Sequence, residues 1–416
     1  MNINLEMRKH IQIAIKDTFH IWKRELKHVF KDPGVIIFFL LVPFIYPVLY
    51  ALIYNQETVH EVKMLVVDQS STPTSREFIR KVDATADVHV VGRCNYMDEA
   101  KRLMDEKEAY GILLIPSSFS QDIHLGKQTA VSLYCDMGAL LYYKALLLSV
   151  TEVSLNMGKD IRLSNMEGTT IRMEEINSEP ITYDAISIYN PQNGFSSFLV
   201  PGILILVIQQ TLLLGIGMLA GTSREQNRLR NLIPMRKQYV GTLRIVYGKS
   251  LAYFVIYVLV CTWALLVVPI LFNLPRTTSF SVISLFALPF LFSCIFFAMS
   301  ASCLIRGRET PMLLFVFISV PLLFLSGISW PQSAIPDFWK WVSYIFPSTF
   351  GIQGFIKINS MGASLESISL EYKALWIQTG IYFVLTCLLY RYQLIRAKKA
   401  VHWLFLRYKK ISKRVS

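Results

Sequence analysis

Six stretches of this chain run free of charged residues for the length that a bilayer demands, at 33–56, 185–223, 250–275, 277–305, 310–336 and 374–390. A helix crossing the hydrocarbon layer needs about 20 largely apolar residues, and the last run is just long enough. Over 416 residues the sequence is 53% hydrophobic and only 17% charged, too apolar for a soluble domain of that length. The first run ends in Ile53-Tyr54-Asn55-Gln56 rather than a small-residue cleavage site. It therefore reads as an uncleaved anchor, with the N-terminus retained.

The net charge of +13 follows topology. Lys and Arg number 25 against 6 acidic residues in 1–32, 222–249, 306–309 and 391–416, and 17 against 23 elsewhere. The two sets alternate across the six runs. By the positive-inside rule both termini and the loops 222–249 and 306–309 are cytoplasmic, and 54–190 lies outside. Topology thus accounts for the basic charge, and no nucleic-acid partner is expected.

The expected fold is an α-helical polytopic membrane protein with six transmembrane helices, both termini inside, and an inserted extracytoplasmic α/β domain. Its parts are a cytoplasmic amphipathic segment at 1–32, spans at 33–54, 195–220, 250–272, 280–304, 310–329 and 373–393, and the extracytoplasmic domain at 55–194. A cytoplasmic loop occupies 221–249, outer-leaflet segments 330–372 and a basic cytoplasmic tail 394–416. In 9–31, Ile11, Ile15, Phe19, Trp22, Leu26 and Phe30 recur every three or four residues between lysines and arginines. That spacing predicts a helix lying on the cytoplasmic membrane surface before the turn at Asp32-Pro33-Gly34. In the outer segment, strands are predicted at 62–67, 88–91, 111–116 and 131–134, with helices at 75–82, 96–107 and 139–176.

Gly248-Lys249-Ser250 has the ending of a phosphate-binding loop, but the required glycine five residues earlier is Leu243. ATP binding by this chain is rejected on that spacing. The loop Ser223–Pro234 has the makings of a short helix, in which Leu229, Leu232 and Ile233 would fill a partner's groove while Arg224, Arg228 and Arg230 meet its acidic rim. The alternative is that these arginines only enforce topology. After the fifth run, Trp330-Pro331, Pro336 and Phe346-Pro347 interrupt an aromatic-rich stretch and suggest short re-entrant helices at the outer leaflet. The spans carry no charged residue or histidine in their apolar centres, which disfavours ion-coupled transport. Gln209, Gln210 and Gln378 are their notable polar residues, suited to interhelix hydrogen bonding, or else to a translocation path or dimer interface. No Cys/His cluster supports a metal site. Cys94 and Cys135 alone face the oxidising side, and whether they pair stays open.

Taken in order, these pieces resemble the permease subunit of bacterial type-2 ABC exporters, the class with a large extracytoplasmic insert after the first span. Trp22-Lys23-Arg24-Glu25-Leu26 with Lys31-Asp32-Pro33-Gly34 looks like that family's entry into the first span. Leu65–Ser71 with Ser75-Arg76, then Ile115–Ser120, is similar to its outer domain. Ser326–Pro331, Ile335-Pro336 and Tyr344–Thr349 look like its signature after the fifth span, with Gly327, Trp330, Pro331, Pro336, Phe346 and Pro347 as the motif residues. The resemblance implies a connecting helix at 9–31, including Trp22, Arg24, Glu25 and Leu26, and a coupling helix at 223–233 bearing Arg224, Glu225, Arg228, Leu229, Arg230, Leu232 and Ile233, followed by Pro234. Asn227, Arg228 and Arg230 replace the family's usual Gly, Thr and second Glu.

What the resemblance further implies is a bacterial inner-membrane exporter of an amphipathic or hydrophobic, drug-like or lipid-like substrate. A cytoplasmic ABC ATPase subunit would use ATP and magnesium, while this chain binds no cofactor and is not an enzyme. The other expected partners are the lipid bilayer, a second permease and a periplasmic adaptor. The competing reading is a membrane receptor or scaffold whose outer domain binds a ligand or partner protein.

Overall fold

The computed structural model describes residues 2–54, 58–164, 188–190, 194–226, 241–274 and 277–415. It divides into two compact units, Met1–Asn55 with Ile188–Ser416, and Gln56–Ser187. The first unit begins with helix α1, Asn2–Val29. After a short turn, the Asp32 carboxylate accepts hydrogen bonds from the backbone N–H groups of Gly34 (3.1 Å) and Val35 (3.4 Å). With Pro33 at the first helical position, this cap starts α2, Pro33–Ile53.

The second unit contains β1 (Val62–Asp68), α3 (Pro73–Asp83), β2 (Val88–Cys94), α4 (Met97–Asp105), β3 (Gly111–Ile115), α5 (Phe119–His124), β4 (Ser132–Cys135) and α6 (Leu140–Ser164). The sheet order is β2-β1-β3-β4, with β1 parallel to both neighbours and β4 antiparallel to β3. A central parallel strand is covered on both faces, so its apolar run is nearly continuous rather than alternating. Accordingly Met64 and Val66 pack on one side with Phe78, Ile79 and Leu146, while Leu65 and Val67 pack on the other with Ala100 and Ile112. The strand stops at Asp68, whose carboxylate accepts from the Ser70 and Ser71 N–H groups, each at 3.0 Å, and from Ser75 Oγ at 2.7 Å. Thr72 then caps α3.

The chain returns through α7 (Phe195–Glu225), α8 (Thr242–Leu271), α9 (Phe280–Ser302), α10 (Thr310–Leu325), α11 (Asp337–Ser343), α12 (Pro347–Met361) and α13 (Ser369–Val415). Among the described residues, five helices are long and apolar enough to cross a membrane: α2, α7, α8, α9 and the Ser369–Arg396 part of α13. α7 is the centre of the first unit, 89% of its most apolar window being buried, whereas the corresponding share is 22% for α2. In α2 and α8 the turns at Ile37–Leu41 and Trp263–Val267 are widened to π-helix. Each lies just before a proline, Pro43 or Pro269, whose ring would otherwise strike the carbonyl one turn back. The predicted span at 310–329 is shorter than expected. α10 ends at Leu325 after 16 residues, about 24 Å of helix, because the chain turns at Gly327 with φ +93°.

The open question of Cys94 and Cys135 is resolved by the sheet. They stand on β2 and β4, the two edge strands, with β1 and β3 between them, and they pack into opposite faces. Three strand spacings separate them by about 14 Å, twice the reach of a disulfide. Both thiols are free, and burial raises their pKa values, that of Cys135 to about 11. Non-reducing peptide mapping should therefore find no linked 94–135 pair. Labelling of Cys135 in the folded protein should accelerate about tenfold per pH unit up to pH 10, as its thiolate fraction rises.

Candidate functional site

Along α1, Asp17, Ile21, Glu25 and Val29 recur every four residues and so share one face. Ile21, Glu25 and Val29 are buried, while Ile11, Ile15, Phe19 and Phe30 of the expected apolar stripe are exposed. α1 therefore has two distinct faces, one packed on α8 and the other apolar and exposed. Trp22 and Leu26 are half-buried at the boundary between them. Close approach of the two helices depends on Gly248. A Cβ there would lie 2.8 Å from Ile21 Cγ2 and 2.9 Å from the Thr18 carbonyl oxygen.

That approach buries charge. Lys249 Nζ meets Glu25 Oε1 at 3.0 Å with both side chains 7% exposed, and the Tyr253 hydroxyl donates to the same oxygen. One turn earlier on α8, Arg244 pairs with Asp17 at 2.8 Å. At the other end of α1, Arg308 pairs with Asp32 at 2.7 Å, and its own N–H donates to Glu225 Oε1 at 2.8 Å. Arg224 donates to the Ser302 carbonyl at 3.0 Å. The three ion pairs form a collar that fastens residues 17–32 to α8 and to the loop after α9, and through Glu225 to the end of α7. Glu25, His28, Ser223, Lys249, Ser302 and Tyr390 surround a polar cavity of about 20 Å³ where α1, α7, α8, α9 and α13 converge.

Arg228, Leu229, Arg230, Leu232, Ile233 and Pro234 lie outside the described residues. Their flanks are described: Glu225 before them and Arg244 after them both bond within the collar. Arg224 and Glu225, expected to face a partner, each make a bond within the chain, and Glu225 is exposed. The sequence reading assigned no role to Asp17, Arg244, Tyr253 or Arg308, and took Asp32 and Lys249 as motif residues without foreseeing their ion pairs. A signal was present: Asp17 and Glu25 are eight residues apart, about two turns, on an otherwise basic helix.

At the other motif, the prolines release backbone groups that side chains from neighbouring helices take up. Gln378 Nε2 of α13 donates to the Tyr344 carbonyl at 2.7 Å, and Tyr382 donates to the Ile345 carbonyl. Gln209 Oε1 of α7 accepts from the Ser348 N–H at 2.6 Å, at the start of α12 where Phe346 precedes Pro347. Thr349 Oγ1 donates to the Ser343 carbonyl at 2.7 Å. Gln209 and Gln378 thus brace the break between α11 and α12. Pro331 opens a short turn at Gln332–Ala334 and Pro336 precedes α11. The Trp330 indole N–H reaches the Ala334 carbonyl at 3.4 Å. Gln210 is 2% exposed, and neither of its amide atoms has a partner among the described residues.

Removing one member of a buried ion pair strands the other, at a cost of about 3–5 kcal/mol. Lys249→Met or Glu25→Gln alone should therefore lower the thermal midpoint of the purified protein sharply, and Glu25→Gln/Lys249→Met should recover most of the loss. Gln209→Leu and Gln378→Leu should each cost about 1–3 kcal/mol by orphaning a buried backbone group, whereas Gln210→Leu should be neutral or stabilising. Burial holds the His28 imidazole below its ordinary pKa of 6.5, against the opposing pull of Glu25. A base with a depressed folded pKa favours the unfolded chain once protonated, so the same melting assay should show stability falling as pH drops below about 6.5.

The collar joins α1 to a helical bundle, and a braced, proline-broken segment packs against the middle of α7. Residues 33–388 match the family described as ABC-2 family transporter protein. The chain is also 23% identical over 359 residues to ABC transporter G family member 20 of Dictyostelium discoideum. That match takes in 86% of this chain and 47% of the relative, so the chain spans about half the length of the curated protein it resembles. On the extent of the family match, this chain belongs to the ABC-2 family of transporter proteins.

Proposed function

We propose that this chain is the membrane-crossing subunit of an ATP-driven exporter that moves an amphipathic or hydrophobic, drug-like or lipid-like substrate outward. Membership of the ABC-2 family implies a partnering ABC ATPase and a membrane subunit that is not itself catalytic. The observation that carries the coupling reading is the ion-paired collar. It fastens α1 and both flanks of residues 227–240 to the bundle at short distances, with the Glu25–Lys249 pair at its centre only 7% exposed. A buried pair of this kind is a poor source of stability but a good fixer of position. Force applied to the 227–240 loop by an ATPase would therefore reach α1, α7 and α8 together.

In this reading α10 is the sixth crossing, completed by the broken helices after it, and both termini are cytoplasmic. The charge alternation supports placing 56–187 outside a bacterial inner membrane, where a periplasmic adaptor can reach it. A second permease completes the path. The departures at Asn227, Arg228 and Arg230 favour a paralogous partner over a second copy, and full activity of complexes containing only this permease and the ATPase would exclude that arrangement.

Affinity capture of the tagged chain from native membranes in mild detergent tests the central reading. A P-loop ATPase should co-purify, and Arg228→Glu/Arg230→Glu should release it. Glu25→Gln/Lys249→Met should retain the ATPase while substrate-stimulated hydrolysis falls at least fivefold. A chain that arrives with no nucleotide-binding partner is a receptor or scaffold instead.

A further inference from the structure

The second unit carries a groove of about 670 Å³ between α3 and the edge strand β2 that the transport reading leaves unused. Arg76 and Arg80, one turn apart on α3, form one wall; Val90 and Gly92 of β2 are on the other side, with Arg93 beside them. The two acidic residues at the groove are already engaged. Glu77 lies 3.4 Å from Lys81, and Asp83 accepts the Val90 N–H at 2.7 Å. The Arg76 guanidinium turns to the Thr72 and Ser71 carbonyls, at 3.3 and 3.4 Å. Arg80 and Arg93 have no acidic partner among the described residues.

β2 itself is seven residues long and, among the described residues, pairs on one side only. Edge strands of that length are usually covered or blunted, because their free N–H and C=O groups are a template for another strand. Here Asp83 covers a single amide, and a register shift where β1 passes from Met64 to Leu65 leaves Val91 of β2 out of the pairing and 41% exposed. An extended segment laid along an edge beside a helix gains main-chain hydrogen bonds, with specificity from every second side chain. Planar guanidinium groups in such a groove select carboxylates.

We infer that this groove binds an extended acidic segment of a partner protein, added to the sheet as a fifth strand along β2. Its alternate carboxylates meet Arg80 and Arg93. α3 is 11 residues long, about 16 Å, which accommodates about five extended residues. The inference does not depend on which substrate the bundle carries or on how an ATPase couples to it.

The test uses the full-length protein in nanodiscs of zwitterionic lipid and a fluorescein-labelled hexapeptide of alternating valine and glutamate. Fluorescence polarisation should report saturable binding that weakens with salt. Binding should fall about tenfold or more in R80E/R93E, and a valine–lysine hexapeptide should not bind. R80A/R93A removes the charge without reversing it, should R80E/R93E fail to fold, and unchanged thiol protection at Cys94 and Cys135 verifies the sheet in either variant. The valine–glutamate peptide N-methylated at every residue keeps every carboxylate but has no backbone N–H left on either edge to pair as a strand, so it too should lose at least tenfold. Equal binding of the methylated and unmethylated peptides, of wild type and both variants, or of the basic peptide overturns the inference. So does wild-type protein that ignores the acidic peptide but gains an Arg80- and Arg93-dependent contact with anionic lipid.

Discussion

The contact between Glu25 and Lys249 is the constraint on which much of the first unit depends. It joins residues 224 positions apart, it is nearly dry, and its carboxylate also receives the Tyr253 hydroxyl. Two charges at 3.0 Å in such surroundings are held to one geometry, because separating them would leave each unsolvated. Gly248 makes that geometry reachable by letting α1 approach α8 without a side chain between them. The Asp17–Arg244 pair on one side and the Asp32–Arg308 pair on the other then fix the rotation and the end of α1. Asp32 also caps α2, so the surface helix and the first apolar helix are set by a shared carboxylate.

The opposite motif is organised by a different rule. Pro336 and Pro347 break the chain after α10 into short pieces, and each break frees backbone groups that need partners away from water. Gln209 and Gln378 come from α7 and α13, the helices that flank the break, and their amides reach it from two directions. The same side chains therefore explain why a broken segment can pack against a bundle, and why glutamine rather than a longer charged residue stands in these helices. The charge-paired end of the bundle and the amide-braced break are joined through α7, the most buried of the long helices, which carries Glu225 at its end and Gln209 at its middle.

Much of this was legible in the sequence, and the remainder was illegible for definite reasons. Charge-free runs located all five long helices, because length and hydropathy are local properties. The strand and helix order of the second unit was readable for the same reason: Val62–Val67 is β-branched and stops at a side-chain-capped turn. The end of α10 was misjudged because the apolar run continues past Gly327, where the backbone turns. Lys249 was read as a motif residue beside Gly248, not as half of an ion pair. Its partner lies far away in sequence, and no periodicity on α8 announces a buried charge. On α1 the exposed apolar stripe is the louder pattern, and it obscured the quieter face of Asp17, Ile21, Glu25 and Val29. The separation of Cys94 from Cys135 needed the strand order, which spacing alone does not supply.

The distance in sequence between Glu25 and Lys249 has a consequence for biosynthesis. At about 5–20 residues per second, the ribosome finishes Lys249 about 10–45 s after Glu25. Throughout that interval the carboxylate has no lysine to meet, and an isolated charge is not drawn into hydrocarbon. Until then the face of α1 that carries Glu25 has no partner on α8, while Ile11, Ile15, Phe19 and Phe30 stand on another face that stays exposed in the folded chain. The two faces of α1 thus differ in timing: one is complete as soon as the helix forms, and the other locks only when α8 is delivered.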